Sequence, residues 1–323
     1  MSRRPALRIA TRGSQLASWQ ARAVGDLLGN AGVGSEIVII TTAGDRLQEA
    51  PLAEIGGKGL FVKEIEDALV RGEVDLAVHS AKDMPAVLPP GLEVAATLAR
   101  DDPRDAIVMS TDIQAGDVAA LRSRLGDTPT IATSSVRRVA QLAVLFPRAT
   151  FRPIRGNVDT RLRTLDEGGY DALVLASAGL RRLGLGDRIT TALPVEVCCP
   201  APGQGIVAVE VRTEDRATRD ALRAVHDEHA GISFAAERAL VAALGGGCQL
   251  PLGGVALHVD GELDMHAVVA SADGRHVIKR RGRGPVSDPV ALGRLMAEEL
   301  TRGGAMEILD AVRGSQGPVQ GSY

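Results

Sequence analysis

Aromatic residues are scarce: four Phe, two Tyr and one Trp make up 2% of 323 residues. Rows of rings on which single-stranded bases could stack are therefore excluded, and aliphatic side chains must fill the core. Cysteine is equally sparse. Cys198, Cys199 and Cys248 are too few and too unevenly spaced for a disulfide framework or a zinc site, so any purpose for a thiol is chemical. No run approaches the roughly 18 apolar residues of a membrane span, and the start MSRRPALRIATRGS turns polar before a signal-type apolar region develops. The expectation is a cytoplasmic protein without a membrane or nucleic-acid partner. Familiar nucleotide and hydrolase motifs are missing too. Gly56-Gly-Lys-Gly59 lacks the GxxxxGK[ST] spacing of a P-loop, no GxGxxG follows the first strand, and there is no GxSxG elbow. His226 and His229 stand three apart with no third ligand in view, which reads as a solvated helix face and no metal site.

What is present is a globular composition, 45% apolar and 24% charged, in a chain long enough for two or three domains. The net charge is only −3, yet it is unevenly spread. Residues 104–188 carry thirteen cations, all Arg, against nine carboxylates, whereas both flanking segments are net negative. Arginine presents a planar fork that grips carboxylate or phosphate in a bidentate way. A general bias toward Arg (33 Arg against 4 Lys) is the competing explanation, so position has to decide.

Hydrophobic patterning predicts strands at 7–11, 37–42, 74–79, 130–133 and 170–176, interleaved with helices at 15–28, 60–71 and up to about Leu145. Ser14 is placed to cap the first helix, and Ser134 or Ser135 the helix ending near Leu145. Strands alternating with helices imply two α/β domains, with the charged stretch Arg100–Asp105 as a crossing linker. Beyond Thr213 the pattern becomes a smaller α+β unit: a helix at 232–244, three strands within 252–280, and a helix at 289–302. The Gly/Ser/Gln-rich tail 314–323 is expected to be disordered.

Several strand-to-helix turns carry Ser and Arg together: Thr11-Arg-Gly-Ser14, Thr133-Ser-Ser-Val-Arg-Arg138 and Ala176-Ser-Ala-Gly-Leu-Arg-Arg182. Arg155-Gly-Asn-Val-Asp-Thr-Arg161 adds two more Arg at a helix entry. Such turns lie at the carboxyl ends of strands, where open α/β sheets bind ligands and helix N-termini offer N–H groups to anions. Together they describe a cleft for a ligand with several carboxylates or phosphates. Val78-His-Ser-Ala-Lys-Asp-Met-Pro85 presents Lys82 and Asp83 at the end of another strand, either as a surface ion pair or as the partner of a positive charge on a substrate. In Gly245-Gly-Gly-Cys-Gln-Leu-Pro-Leu-Gly253, three glycines strip bulk from around Cys248, an accessible thiol suited to tethering or to turnover. A solute-binding protein would share the cleft without needing that thiol, and a phosphosugar enzyme would leave it unexplained.

The stretches RIATRGSQLA, GGKGLFVKEIE, VHSAKDMP, IATSSVRR, RGNVDTRL, PAPGQG and GGGCQLPLG, in that order, closely resemble the porphobilinogen deaminase (hydroxymethylbilane synthase) family over nearly the whole chain. The resemblance implies two domains like a type II periplasmic binding protein around a central cleft, plus a small α+β domain carrying the cofactor cysteine. Domain 1 would be 1–99 with 204–223, domain 2 104–199 and domain 3 226–313. It implies a monomeric transferase of tetrapyrrole biosynthesis that condenses four porphobilinogens, releasing ammonia, on a dipyrromethane primer held by a thioether to Cys248. Asp83 matches the family's catalytic aspartate. Arg12, Arg137, Arg138, Arg155, Arg161 and Arg182 match cofactor- or substrate-binding arginines, supported by Ser14, Lys82, Thr133, Ser134, Ser135, Gly156, Asn157, Ser177 and Gln204. Lys58 and Phe61 fall on a flexible active-site loop. Cys198 and Cys199 fall outside the pattern.

Overall fold

The computed structural model describes residues 6–46, 62–110, 114–246 and 250–315. The chain opens with β1 (Leu7–Thr11), α1 (Gln15–Asn30), β2 (Ser35–Ile39), α2 (Ala43–Arg46), α3 (Lys63–Val70), β3 (Leu76–Ser80) and β4 (Leu92–Thr97). A second lobe follows: β5 (Asp105–Met109), α4 (Val118–Leu125), β6 (Thr130–Ala132), α5 (Val136–Leu145), β7 (Thr150–Arg152), α6 (Val158–Asp166), β8 (Ala172–Ala176), α7 (Ser177–Arg182) and β9 (Thr191–Ala192). Then β10 (Val207–Arg212) and α8 (Arg216–Leu222) return to the first lobe, before a third unit of α9 (Glu228–Ala243), β11 (Leu252–Val259), β12 (Glu262–Ala270), β13 (Val277–Pro285), α10 (Pro289–Arg302) and α11 (Ala305–Ser315).

The two lobes repeat one architecture. Their sheets run β2-β1-β3-β10-β4 and β7-β6-β8-β5-β9, and in each the fourth strand is the one that arrives from the other lobe and pairs antiparallel with its neighbours. This is the type II periplasmic-binding-protein-like arrangement. Two crossing segments, just before β5 and just before β10, therefore join the lobes, and the carboxyl ends of β1, β3, β6 and β8 face the cleft between them.

The cores are aliphatic, as the lack of aromatics requires. Ile9, Val24, Leu28, Leu76 and Val209 fill one face of the first sheet, while Ile65, Leu69 and Leu92 fill the other under α3. Leu240, Met265, Leu292, Met296 and Leu300 pack α9 and α10 onto the antiparallel sheet β11-β12-β13. Ser14 and Ser135 cap α1 and α5. The helix predicted from Ile232 begins four residues earlier, because Asp227 Oδ1 accepts a hydrogen bond from Ala230 N at 2.8 Å and starts it there. The predicted strand 37–42 is shifted to 35–39, an edge strand with exposed Ile37 and Ile39. At the end of the chain α11 continues through Gly314 and Ser315, while 316–323 lie outside the described residues.

Candidate active site

In the first lobe, β3 ends at Ser80, whose hydroxyl shares hydrogen bonds with the Gln20 amide (Gln20 Nε2 to Ser80 Oγ, 2.9 Å). A single turn of 3₁₀ helix, Ala81–Asp83, then lifts Lys82 and Asp83 over the cleft. The crossing segment holds that turn from below, with Ala81 N donating to Ile206 O at 3.0 Å. Gly203 has φ +78°, and a Cβ there would come within 2.9 Å of the Ala81 carbonyl carbon and Lys82 N. Only glycine allows this approach. On the neighbouring strand end, Ser14 Oγ accepts from Ala17 N at 3.2 Å, and Arg12 pairs with Asp45 of α2 (Nε to Oδ1, 3.1 Å). Despite burial, Arg12 and Thr42 hold the Asp45 carboxyl below its ordinary range.

The second lobe supplies the arginines. Arg137 and Arg138 open α5, are only 4% and 7% exposed, and converge on Asp105, the wholly buried first residue of β5. Asp105 accepts from Arg137 Nη1 at 2.7 Å, Arg138 Nη2 at 2.7 Å and Gln204 Nε2 at 2.9 Å. Burial works against ionisation there, but the two guanidinium groups win and hold Asp105 far below the usual carboxylate range. Gln204 Oε1 in turn faces Lys82 Nζ at 3.4 Å, which links the lobes through the crossing segment. Burial, with Arg138 and Arg137, pulls Lys82 down to about 8, against Asp83 and Asp105. Arg161 is brought down to about 10 by burial and by Arg138, with Asp83 opposing. Its Nε donates to Gly156 O at 2.8 Å, and Ser134 Oγ donates to Ile154 O at 2.7 Å, so both side chains brace the loop before α6.

Two cavities meet at Lys82 and Asp83. One of about 340 Å³ lies between the lobes, with Arg12, Ser14, Ser134, Arg155, Gly156, Asn157 and Arg161 on its walls. The other, about 210 Å³, is enclosed by Ser135, Arg137, Arg138, Gln204, Arg238 and Leu250. Leu250 stands two residues along the chain from Cys248, which lies outside the described residues together with Lys58 and Phe61. Three candidates line neither cavity. Thr133 is buried and supports Ser135 N (3.2 Å), and Ser177 is buried at the start of α7. Arg182 donates to Gly205 O at 2.6 Å, with Nε 3.6 Å from Asp101, so it braces the crossing segments.

Sequence reasoning missed several groups that build the site. Asp105 is the anchor of both arginines and not merely the end of a linker; its one signal in the sequence is a carboxylate directly before the apolar run Ala106-Ile-Val. Arg238 of α9 donates to Pro85 O (3.0 Å) and Ala86 O (2.7 Å), fixing the loop after Asp83 to the third unit. Arg100, in the first crossing segment, pairs with wholly buried Glu237 of α9 at 2.6 Å. Cys198 and Cys199 are buried structural thiols. Cys198 Sγ lies 3.4 Å from Asp105 Oδ2, and burial, with Asp105, pushes it up to about 12.

The donor set suits a polycarboxylate such as a dipyrromethane. Among the described residues, four cations, Lys82, Arg137, Arg138 and Arg238, face the smaller cavity against Asp83 alone, with Asp105 behind, and apart from Ser135 and Gln204 the remaining wall is apolar. Among the described residues there is no cluster that could hold a metal ion, and no helix is long and apolar enough to cross a membrane.

Two α/β lobes with an arginine-rich cleft between them define a protein fitted to bind multiply charged anions. Comparison with known proteins narrows this class. Residues 7–220 match the family model described as porphobilinogen deaminase, dipyromethane cofactor binding domain, and 232–302 match the porphobilinogen deaminase C-terminal domain. The chain is 47% identical over 309 residues to the porphobilinogen deaminase of Acidithiobacillus ferrooxidans, covering 95% of this chain and 98% of that one. It is 45% identical over 311 residues to that of Thiobacillus denitrificans, with the same coverage. Among solved structures it is similar to the methionine binding protein MetQ (TM-score 0.42, 11% identity, 68% of this chain and 89% of that one). The chain belongs to the porphobilinogen deaminase family.

Proposed function

We propose that this chain condenses four porphobilinogen molecules head to tail into hydroxymethylbilane, releasing ammonia, on a dipyrromethane primer joined by a thioether to Cys248. The observation that carries this reading is the meeting of the two cavities at Lys82 and Asp83, which gives primer and incoming substrate separate arginine-lined places around one carboxylate. When bound, the dipyrromethane supplies the nucleophilic α-carbon of its terminal pyrrole. Arg137, Arg138, Lys82 and Arg238 would hold its carboxylates, and Ser135 and Gln204 would add neutral hydrogen bonds. Arg12, Arg155 and Arg161, with Ser14, Ser134, Gly156 and Asn157, would hold the acetate and propionate of porphobilinogen through charge-assisted pairs. Asp83 would accept hydrogen bonds from pyrrole N–H groups and stabilise the cation that develops as the C–N bond breaks. Thr133, Ser177 and Arg182 serve from behind, by shaping the turns and bracing the crossing segments.

We assign domain 1 to 1–99 with 204–223, domain 2 to 104–199 and domain 3 to 226–313, acting as a cytoplasmic monomer without nucleic-acid or membrane partners. The test is intact-protein mass. The protein should carry a covalent excess of two pyrrole units and lengthen it stepwise on brief exposure to porphobilinogen. Cys248→Ser should carry none. A wild-type protein without covalent pyrrole, or a loaded Cys248→Ser, refutes the reading.

A further inference from the structure

Beneath the cleft lies a cluster of ionisable groups with no part in the chemistry above. His79 on β3 is buried, and its Nε2 lies 3.0 Å from Oε2 of the wholly buried Glu210 on β10. The antiparallel register explains the meeting: Glu210 stands opposite Ala77, on the face that Ala77 shares with His79. The helix α3 covers that face and brings in Glu66, 8% exposed. Glu66 Oε1 and Glu210 Oε1 are both buried without a hydrogen-bond partner. Two buried carboxylates with bare oxygens and one imidazole are a poor resting place for two negative charges, and a good one for a mobile proton. His79 also lines the interlobe cavity that holds Asp83, so the cluster opens onto the reaction site.

We propose that Glu66, His79 and Glu210 form a buried proton store that serves the coupling reaction through the cleft-lining edge of His79. The inference rests on the proposed condensation. Each addition breaks the C–N bond of porphobilinogen, whose electron pair leaves with nitrogen. It then forms a C–C bond and breaks the α C–H bond of the attacking pyrrole, whose electron pair returns to the ring. As the C–N bond breaks, the store protonates the amino nitrogen, which departs as ammonia, and the proton lost later from the α-carbon refills the store, so each turn balances. Glu66 holds the proton in readiness, and His79 is the member of the cluster that borders the cleft.

The surroundings place this exchange near neutrality. Burial, Glu210 and Asp67 push Glu66 up to about 7, with His79 opposing. From α9, Arg238 is attracted to Glu210. Two residues along β10, Arg212 donates to Leu69 O and Val74 O. The charged groups around the cluster are thus Asp67 on α3 and Arg238 on α9, and Glu66, raised to about 7, exchanges a proton near neutrality.

The experiment compares the dipyrrole-loaded wild type with Glu66→Gln, and with His79→Gln as a second variant, by the pH profile of kcat and by infrared difference spectroscopy. Glu66→Gln is expected to fold and to carry its dipyrrole. Its kcat should fall about tenfold or more, part of what general acid–base catalysis supplies, and the inflection near pH 7 in the wild-type profile should vanish. The wild type should show a protonated-carboxyl band that titrates near pH 7 and is absent from Glu66→Gln. His79→Gln should lose turnover while keeping its dipyrrole. Coincident wild-type and Glu66→Gln profiles, or no titrating band, overturn the proposal. Failure of the wild type to lengthen its dipyrrole would instead refute the condensation, and the infrared band would still decide whether the cluster stores a proton.

Discussion

Replacing Asp105 by Asn tests how the arginine side of the site is held together. Asp105 is the only carboxylate hydrogen-bonded to Arg137 and Arg138 among the described residues, and both arginines are almost wholly buried. Asparagine keeps the shape but leaves two buried guanidinium groups without a counter-charge, and its amide hydrogens can face donors. Breaking a buried pair this way costs roughly 3–5 kcal/mol. At roughly 2–4 °C per kcal/mol for a domain of this size class, the unfolding midpoint should fall on the order of 10 °C. The dependence on pH follows from linkage. Asp105 is depressed in the folded state, so its contribution is complete above the unfolded carboxylate value of about 3.9 and is lost as pH falls below it. The gap between parent and variant should therefore be flat from about pH 5 to 8 and close only in acid. The assay is thermal unfolding in a Cys248→Ser background, which removes the dipyrrole. In the loaded protein the gap should shrink, because ligand carboxylates restore negative charge beside the same arginines. Equal midpoints at pH 7, or a gap that changes between pH 6 and 8, would refute this account.

Other substitutions separate the remaining roles. Asp83→Asn should lower turnover by about two orders of magnitude or more, as for other lost electrostatic stabilisers, with little change in unfolding midpoint; turnover within about threefold of wild type would reduce Asp83 to a bystander. Because Lys82 also borders the interlobe cavity proposed for substrate, Lys82→Gln should remove a loss of substrate affinity that the wild type shows as pH rises through about 8, where Lys82 gives up its charge, and KM measured from pH 7 to 9 checks this. Gly203→Ala should displace the Lys82–Asp83 turn, because the new Cβ meets backbone at 2.9 Å in a left-handed conformation, and turnover should fall together with stability. Arg182→Gln should load dipyrrole normally yet stall later additions, whereas Arg137→Gln should leave mostly apo protein; identical mass ladders for the two would contradict this division.

What could be read from the sequence was whatever a few neighbouring residues encode. Ser14 and Ser135 announce their helices because an N-cap is satisfied within three residues, and β1, β6 and β8 announce themselves as short apolar runs ending in Ser or Arg turns. The cleft followed, because strand ends carrying Arg and Ser must share one edge of the sheet. Pairing across the chain is a different matter. Asp105 meets partners 32 and 33 residues away, and Glu210 meets His79 across 131 residues, through a strand that returns from the other lobe. Local pattern gives only a faint hint of such carboxylates, the apolar run that follows Asp105 or surrounds Glu210, and none of their partners. Arg155 and Arg182 look alike as letters, yet one lies just before α6, on the wall of the cleft, and the other ends α7, more than a helical turn from its strand end. The letters alone therefore do not separate a ligand-facing arginine from a bracing one. Charge balance supplies a rule. A surplus of buried arginine requires buried carboxylates, and the place to seek them is at the start of apolar strands, as at Asp105, and inside strands that recross the molecule, as at Glu210.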